Sequence, residues 1–175
     1  MPSTHALAHS DLAGDTAAVV ALTLLALDLH PAAGWPEYAV HALGFLAVGT
    51  LWHDRRTVLA RIRRPDRALR TLDALLLTAL VLLPLATHAL ARDLTAGTTI
   101  AFGLALAVAG TLLNALWLRA TRTRRRHGPP GTAATLCRRH RAAPVLHLGA
   151  SLVALAGPAA GLAVLAAVLL LGLVQ

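Results

Sequence analysis

The sequence predicts an all-α, polytopic membrane protein with six transmembrane helices, and three observations carry that prediction. The chain of 175 residues is 57% hydrophobic and only 14% charged, with a mean hydropathy of +0.65. A soluble domain of this size needs more polar surface than that. Its apolar residues fall in runs of the length a helix needs to cross a bilayer, about 20 residues. Its sixteen basic residues are all arginine, and fifteen lie in two stretches, Arg55–Arg70 and Arg119–Arg141. Basic loops between apolar runs are orientation signals that stay in the cytoplasm.

The first span covers Ala13–Leu29 and ends at the turn signal His30-Pro31-Ala32-Ala33-Gly34-Trp35-Pro36. The second covers Glu37–Val58; it is apolar to Trp52 and then continues as helix into the first arginine cluster until Pro65 stops it. The third covers Leu69–Leu90 with Pro84 inside, where neighbouring helices can satisfy the freed carbonyl. The fourth covers Thr95–Leu118, and Arg119–Gly131 follows as a basic flexible loop punctuated by Gly128-Pro129-Pro130-Gly131. The fifth and sixth, Ala142–Ala156 and Ala159–Val174, form a hairpin through Gly157-Pro158, with a single re-entrant hairpin as the alternative. Since the basic loops follow spans two and four, both termini are expected in the cytoplasm, with the chain multi-pass in the cell membrane.

A net charge of +8 and a pI near 11.7 are compatible with nucleic acid. Aromatics amount to 3%, too few to stack bases between the arginines, so anionic lipid headgroups are the expected partner of the Arg loops and nucleic acid is not. The single Cys137 excludes an internal disulfide, and the His, Cys, Asp and Glu residues lack metal-ligand spacing. With no Walker loop, nucleotide fingerprint or catalytic carboxylate pair, the chain reads as neither an enzyme nor a cofactor binder.

The first span carries the most unusual pattern. Thr16, Val20, Thr23, Leu27 and His30 recur at spacings of four, three, four and three, which places them on one helical face. Around a symmetry axis, Thr23 would present a ring of oxygens, while Val20 and Leu27 would form collars able to gate by dewetting. The alternative is a core helix whose threonine hydroxyls bond back to their own backbone. Asp15 and Asp73 are carboxylates within or at the edge of spans, and such groups have partners. Asp54, Arg55 and Arg56 at the end of span two are the candidates, giving a charged network that packs spans one to three. A proton relay through these carboxylates and His9 is the sharper alternative. His41, His53 and His147 read as hydrogen-bonded packing groups.

The order of residues then resembles a known family. Thr23-Leu24-Leu25-Ala26-Leu27-Asp28-Leu29, Phe45-Leu46-Ala47-Val48-Gly49-Thr50-Leu51-Trp52, Ile62-Arg63-Arg64-Pro65-Asp66 and Leu82-Leu83-Pro84-Leu85-Ala86-Thr87 look like blocks of the transmembrane protein 175 family of prokaryotic and lysosomal potassium channels. Their spacing is gapless across about Asp15–Thr87, half the chain; the other half resembles the family in topology alone.

The resemblance implies a six-helix subunit, four chains per assembly in prokaryotes, and first helices that line a central pore without a carbonyl filter. Carried over by position, Val20 takes the constriction, Leu24 and Leu27 continue it, and Thr23 is the selectivity threonine, with Thr16 on the same face. Potassium is then a permeant ion and not a cofactor, and Trp52 joins Asp15, Asp54, Arg55, Arg56 and Asp73 in the structural network. This chain departs from the family at several positions. The Phe-Ser-Asp signature reads Ala13-Gly14-Asp15, its preceding Arg falls on His9, the paired His after the Trp are Arg55 and Arg56, and the Asn of span three is Asp73. The expected function is a leak-type, potassium-permeable channel, with a proton-coupled transporter using intramembrane Asp and His as the alternative. A lipid-binding membrane protein without conduction is the third possibility.

Overall fold

The computed structural model describes residues 3–30, 34–60, 62, 66–125, 149 and 157–174, and these form five helices. They are α1 (Ser3–Leu27), α2 (Trp35–Leu59), α3 (Arg67–Arg92), α4 (Ala96–Arg125) and α5 (Pro158–Val174). The expected fifth span, 142–156, lies outside the described residues, as do Pro65 and Cys137.

Local chemistry explains where the helices begin. Pro36 sits in the first turn of α2 behind an extended Gly34, where a missing N–H costs nothing, and Glu37 adds a carboxylate at the positive end of the helix. Asp66 caps α3 by accepting the Leu69 N–H at 2.8 Å. Thr95 and Thr98 cap α4 reciprocally: the Thr95 hydroxyl accepts the Thr98 N–H at 3.2 Å, and the Thr98 hydroxyl accepts the Thr95 N–H at 3.1 Å. This is the logic of a capping box with threonine at both ends.

One boundary corrects the sequence reading, and another extends it. α1 starts at Ser3, so helix precedes the predicted span by ten residues. α4 runs on to Arg125, so Arg119–Arg125 is helix and not the flexible loop expected from its charge. Arginine and alanine are strong helix formers, and this stretch holds neither Gly nor Pro to stop it.

Among the described residues α3 packs against α1, α2 and α4, α2 also meets α4 and α5, and α1 is seated only by α2 and α3. The shared core takes Ala18, Ala21 and Leu25 from α1, Ala47 and Val48 from α2, Leu76, Leu80 and Leu83 from α3, and Phe102 and Leu116 from α4. Small residues set how closely the helices approach. A Cβ on Gly44 would lie 2.8 Å from Thr87 Cγ2 and 3.1 Å from Leu25 Cδ2, so the bare glycine admits α1 and α3 side chains to α2 at one point. α3 and the Ala96–Thr121 part of α4 are long and apolar enough to cross a membrane, while α1 and α5 carry shorter apolar stretches, Leu12–Leu27 and Pro158–Leu170.

Candidate functional site

One side of α1 is sewn into the bundle and the other is open. Gly14, Ala18, Ala21 and Leu25, spaced four, three and four apart, are buried against α2 and α3. Thr16, Val20, Thr23, Leu24 and Leu27 are exposed on the far side, Val20 at 42% and Leu27 at 76%. At 3.6 residues per turn these two sets lie on opposite sides of the helix. The face picked out by periodicity is therefore not a core face of this chain. His30 beyond the helix end is exposed as well.

Both threonine hydroxyls on that face donate along the helix, Thr16 to the Leu12 carbonyl at 2.8 Å and Thr23 to the Val19 carbonyl at 2.7 Å. Such back-bonding uses the one proton of a hydroxyl and leaves its oxygen lone pairs available. A threonine held this way can accept or ligate but cannot donate outward. The back-bonding and oxygen-ring readings of these residues are thus compatible.

Two sets of polar contacts fix α1 against its neighbours. Near its N-terminal half, Arg55 is fully buried and grips Asp73 in a two-pronged pair, Nε to Oδ1 at 2.6 Å and Nη2 to Oδ2 at 2.9 Å. That geometry is the strong planar match of guanidinium to carboxylate. Asp15 accepts the Trp52 indole N–H at 3.0 Å, and the Arg56 guanidinium lies 5.1 Å from the Trp52 ring centre, within cation–π reach. The structure thus brings these residues together in two groups, Arg55 with Asp73 and Asp15 with Trp52 and Arg56, so Arg55 rather than Arg56 serves Asp73. Among the described residues Asp54 makes no contact with this group. One residue from Arg55, it projects about 100° away around α2.

Sequence reasoning missed the second set, at the C-terminal end of α1. Asp28 lies 3.1 Å from His41 Nε2 on α2 and 2.6 Å from His88 Nδ1 on α3. His41 is buried, and its other nitrogen faces the Glu37 carbonyl at 2.9 Å. A signal was available: the span pattern puts Asp28 and His88 at the same end of the bundle.

A further contact joins the start of α3 to α4: Arg119 on α4 donates to Asp66 through Nη2 at 2.9 Å and Nε at 3.1 Å. Those hydrogen bonds, with the Leu69 backbone N–H, hold the Asp66 carboxyl below its usual range. Among the described residues no group of His, Cys, Asp and Glu could hold a metal ion.

Comparison with known proteins agrees with this architecture. Residues 13–84 match the family model described as the endosomal/lysosomal potassium channel TMEM175, nearly the stretch over which the residue blocks align. A potassium channel of Streptomyces collinus is 30% identical over 122 residues, which is 59% of this chain and 59% of that one. The chain therefore matches about three fifths of that relative's length. The crystal structure of a lysosomal potassium-selective channel TMEM175 homologue from Chamaesiphon minutus shares the fold with a TM-score of 0.86, covering 97% of both chains at 17% identity. The family resemblance holds at the levels of motif, sequence and fold, and these relatives are named as channels, not enzymes.

Proposed function

We propose that the chain is one subunit of a potassium-permeable, leak-type cation channel. It is a homotetramer in the cell membrane, with α1 of each copy lining a shared axis. The observation that carries this reading is the exposed ladder of Thr16, Val20, Thr23, Leu24 and Leu27 on a helix seated only from behind. Around an axis, Val20, Leu24 and Leu27 form apolar collars that gate by dewetting, and the Thr16 and Thr23 oxygens form layers between and below them. Because each hydroxyl proton is already given to a backbone carbonyl, those layers present lone pairs, which suit a cation. The names of the relatives favour potassium as that cation.

A threonine layer at Thr23, even with a second at Thr16, offers fewer oxygens than a carbonyl cage, so discrimination against sodium is modest. The arginines lie outside the α1 face, and the one every-third-position run in α4, Arg119, Arg122 and Arg125, sits at the end of that helix and not through its apolar stretch, so the channel is not voltage-sensing. The two Arg-rich segments face the cytoplasm with both termini and meet anionic headgroups. The transporter reading needs Asp15 and Asp73 free to exchange protons, and their contacts with Trp52 and Arg55 favour a structural role instead.

The test is reconstitution of the purified full chain in liposomes with a potassium gradient, with the subunits counted beforehand. Four subunits and a potassium flux are expected, and Val20→Asn should raise that flux by wetting the narrowest ring. Equal flux from wild type and Val20→Asn removes Val20 as the constriction. A proton current without potassium flux turns the reading to the transporter, and no flux of either ion turns it to a non-conducting membrane protein.

A further inference from the structure

Resting on that reading, we propose that Gly14, Arg55 and Asp73 form one unit that seats the N-terminal half of α1, making Arg55 a positioning residue for the constriction at Val20. The geometry is specific. A Cβ built on Gly14 would overlap Arg55 Nη1 and lie 2.5 Å from its Cζ and 2.9 Å from its Nη2. The guanidinium thus abuts the backbone of α1 at a place where any side chain would overlap it. Asp73 on α3 holds that guanidinium through two hydrogen bonds, and Arg55 itself is 0% exposed. The next residue of α1, Asp15, is fixed to the same turn of α2 through Trp52.

Gly14 leaves the space, Arg55 fills it, and Asp73 balances its charge, so each residue depends on the other two. Arg55 without Gly14 has nowhere to lie, and Arg55 or Asp73 without the other is a buried charge without its partner in the pair, the costly case for ion pairs. The arrangement also has a direction. Gly14 is on the seated side and Val20 on the open side, so a group inserted at position 14 either pushes the guanidinium off Asp73 or, where that pair holds, drives α1 away from α2 and moves Val20 towards the axis.

The test is a mutant cycle on the full chain. Gly14→Ala is made in the wild type and in an Arg55→Met/Asp73→Leu background, where the ion pair is exchanged for apolar groups of similar length, a swap that buried pairs often tolerate. In the wild type, Gly14→Ala should lower the unfolding midpoint in detergent by about 5 °C and reduce potassium flux. In the apolar background, where a flexible thioether can yield, both effects should largely vanish. Failure of Gly14→Ala to fold in the wild type with folding restored in the apolar background supports the unit equally.

Equal losses of midpoint in the two backgrounds overturn the unit. A coupled midpoint with flux unmoved by Gly14→Ala overturns the positioning role while leaving the packing intact. Absence of flux from the wild-type protein defeats the channel reading and the positioning role with it, and the midpoints then decide whether the three residues act as a unit.

Discussion

The Asp28 carboxylate lies 2.6 Å from His88 Nδ1, a contact across sixty residues of sequence that ties the end of α1 to α3. The same carboxylate meets His41 on α2, so three helices converge on one group. The His41 ring faces two acceptors, the Glu37 carbonyl and Asp28. One ring nitrogen faces the carbonyl and the other the carboxylate, so the imidazole is held from both sides.

Replacing Asp28 separates charge from hydrogen bonding. Asp28→Asn keeps a side-chain amide within reach of His41 Nε2 while removing the charge. Asp28→Ala leaves that buried nitrogen without a partner, at a cost of about 1–3 kcal/mol. The alanine variant should therefore lose about 5 °C of unfolding midpoint in detergent, and the asparagine variant clearly less. Equal losses would mean that the carboxylate, and not the hydrogen bond, holds the three helices together.

Acid should weaken the contact between α4 and the start of α3. The Asp66 carboxyl is held below its ordinary value of 3.8 first by Arg119 and then by the Leu69 N–H. A carboxyl depressed in the folded state contributes stability above its unfolded pKa and loses it as pH falls through the folded value. The loss thus begins near pH 4 and continues below it. Asp66→Asn keeps a capping oxygen and removes the charge, so it should be less stable than wild type at pH 7. The two should converge as the wild-type carboxyl is protonated, which midpoints measured from pH 7 down to pH 3 will reveal. The exposed ion pair is worth little by itself; Asp66→Ala, which also removes the cap, should cost about 1 kcal/mol.

Gly44 predicts a packing defect of known cause. A methyl group there meets Thr87 Cγ2 at 2.8 Å and Oγ1 at 2.9 Å. Overpacking of this kind costs about 1–3 kcal/mol. Thr87→Ala should recover most of the midpoint lost by Gly44→Ala, because it removes both clashing atoms. If it recovers none, the Leu25 side chain on the other side of Gly44, at 3.1 Å, is the obstacle instead.

What the sequence made legible follows from the range of each signal. The spacing of Thr16, Val20, Thr23 and Leu27 is a property of one helix, and it marked the open face of α1 without reference to any neighbour. The apolar runs and turn residues likewise located α2 and α3 to within a few residues. Arg55 and Asp73 were both suspected, but choosing Arg55 over Arg56 and dropping Asp54 depends on which side of α2 faces α3, and adjacent charges give no clue to that. Gly14 looked like the decay of a motif until the guanidinium beside it supplied a reason. His41 was legible as a hydrogen-bonded packing group, and the span pattern set His88 at the same end as Asp28, but that both meet one carboxylate shows only when the fold brings Asp28 between them. The run Arg119–Arg125 misled because its charge suggested a loop, whereas its helix propensity decided the outcome.

Thr23 offers the sharpest test of how the open face of α1 handles ions. Its hydroxyl proton is committed to the Val19 carbonyl at 2.7 Å, so only the oxygen lone pairs face outward. Thr23→Val keeps the shape and the β-branch while deleting that oxygen, and Thr23→Ser keeps the oxygen while deleting a methyl group. If the oxygen layer stabilises a partly dehydrated cation, Thr23→Val should lower potassium flux and bring the potassium and sodium rates together. Thr23→Ser should retain the preference, with a wider passage. The unfolding midpoint should hardly move in either variant, because the residue is exposed. The measurement is paired potassium and sodium flux from liposomes carrying equal amounts of each protein. A valine variant that keeps the wild-type ratio would assign discrimination to the aliphatic collars at Val20, Leu24 and Leu27, where the width of the ring and not its oxygens selects the ion.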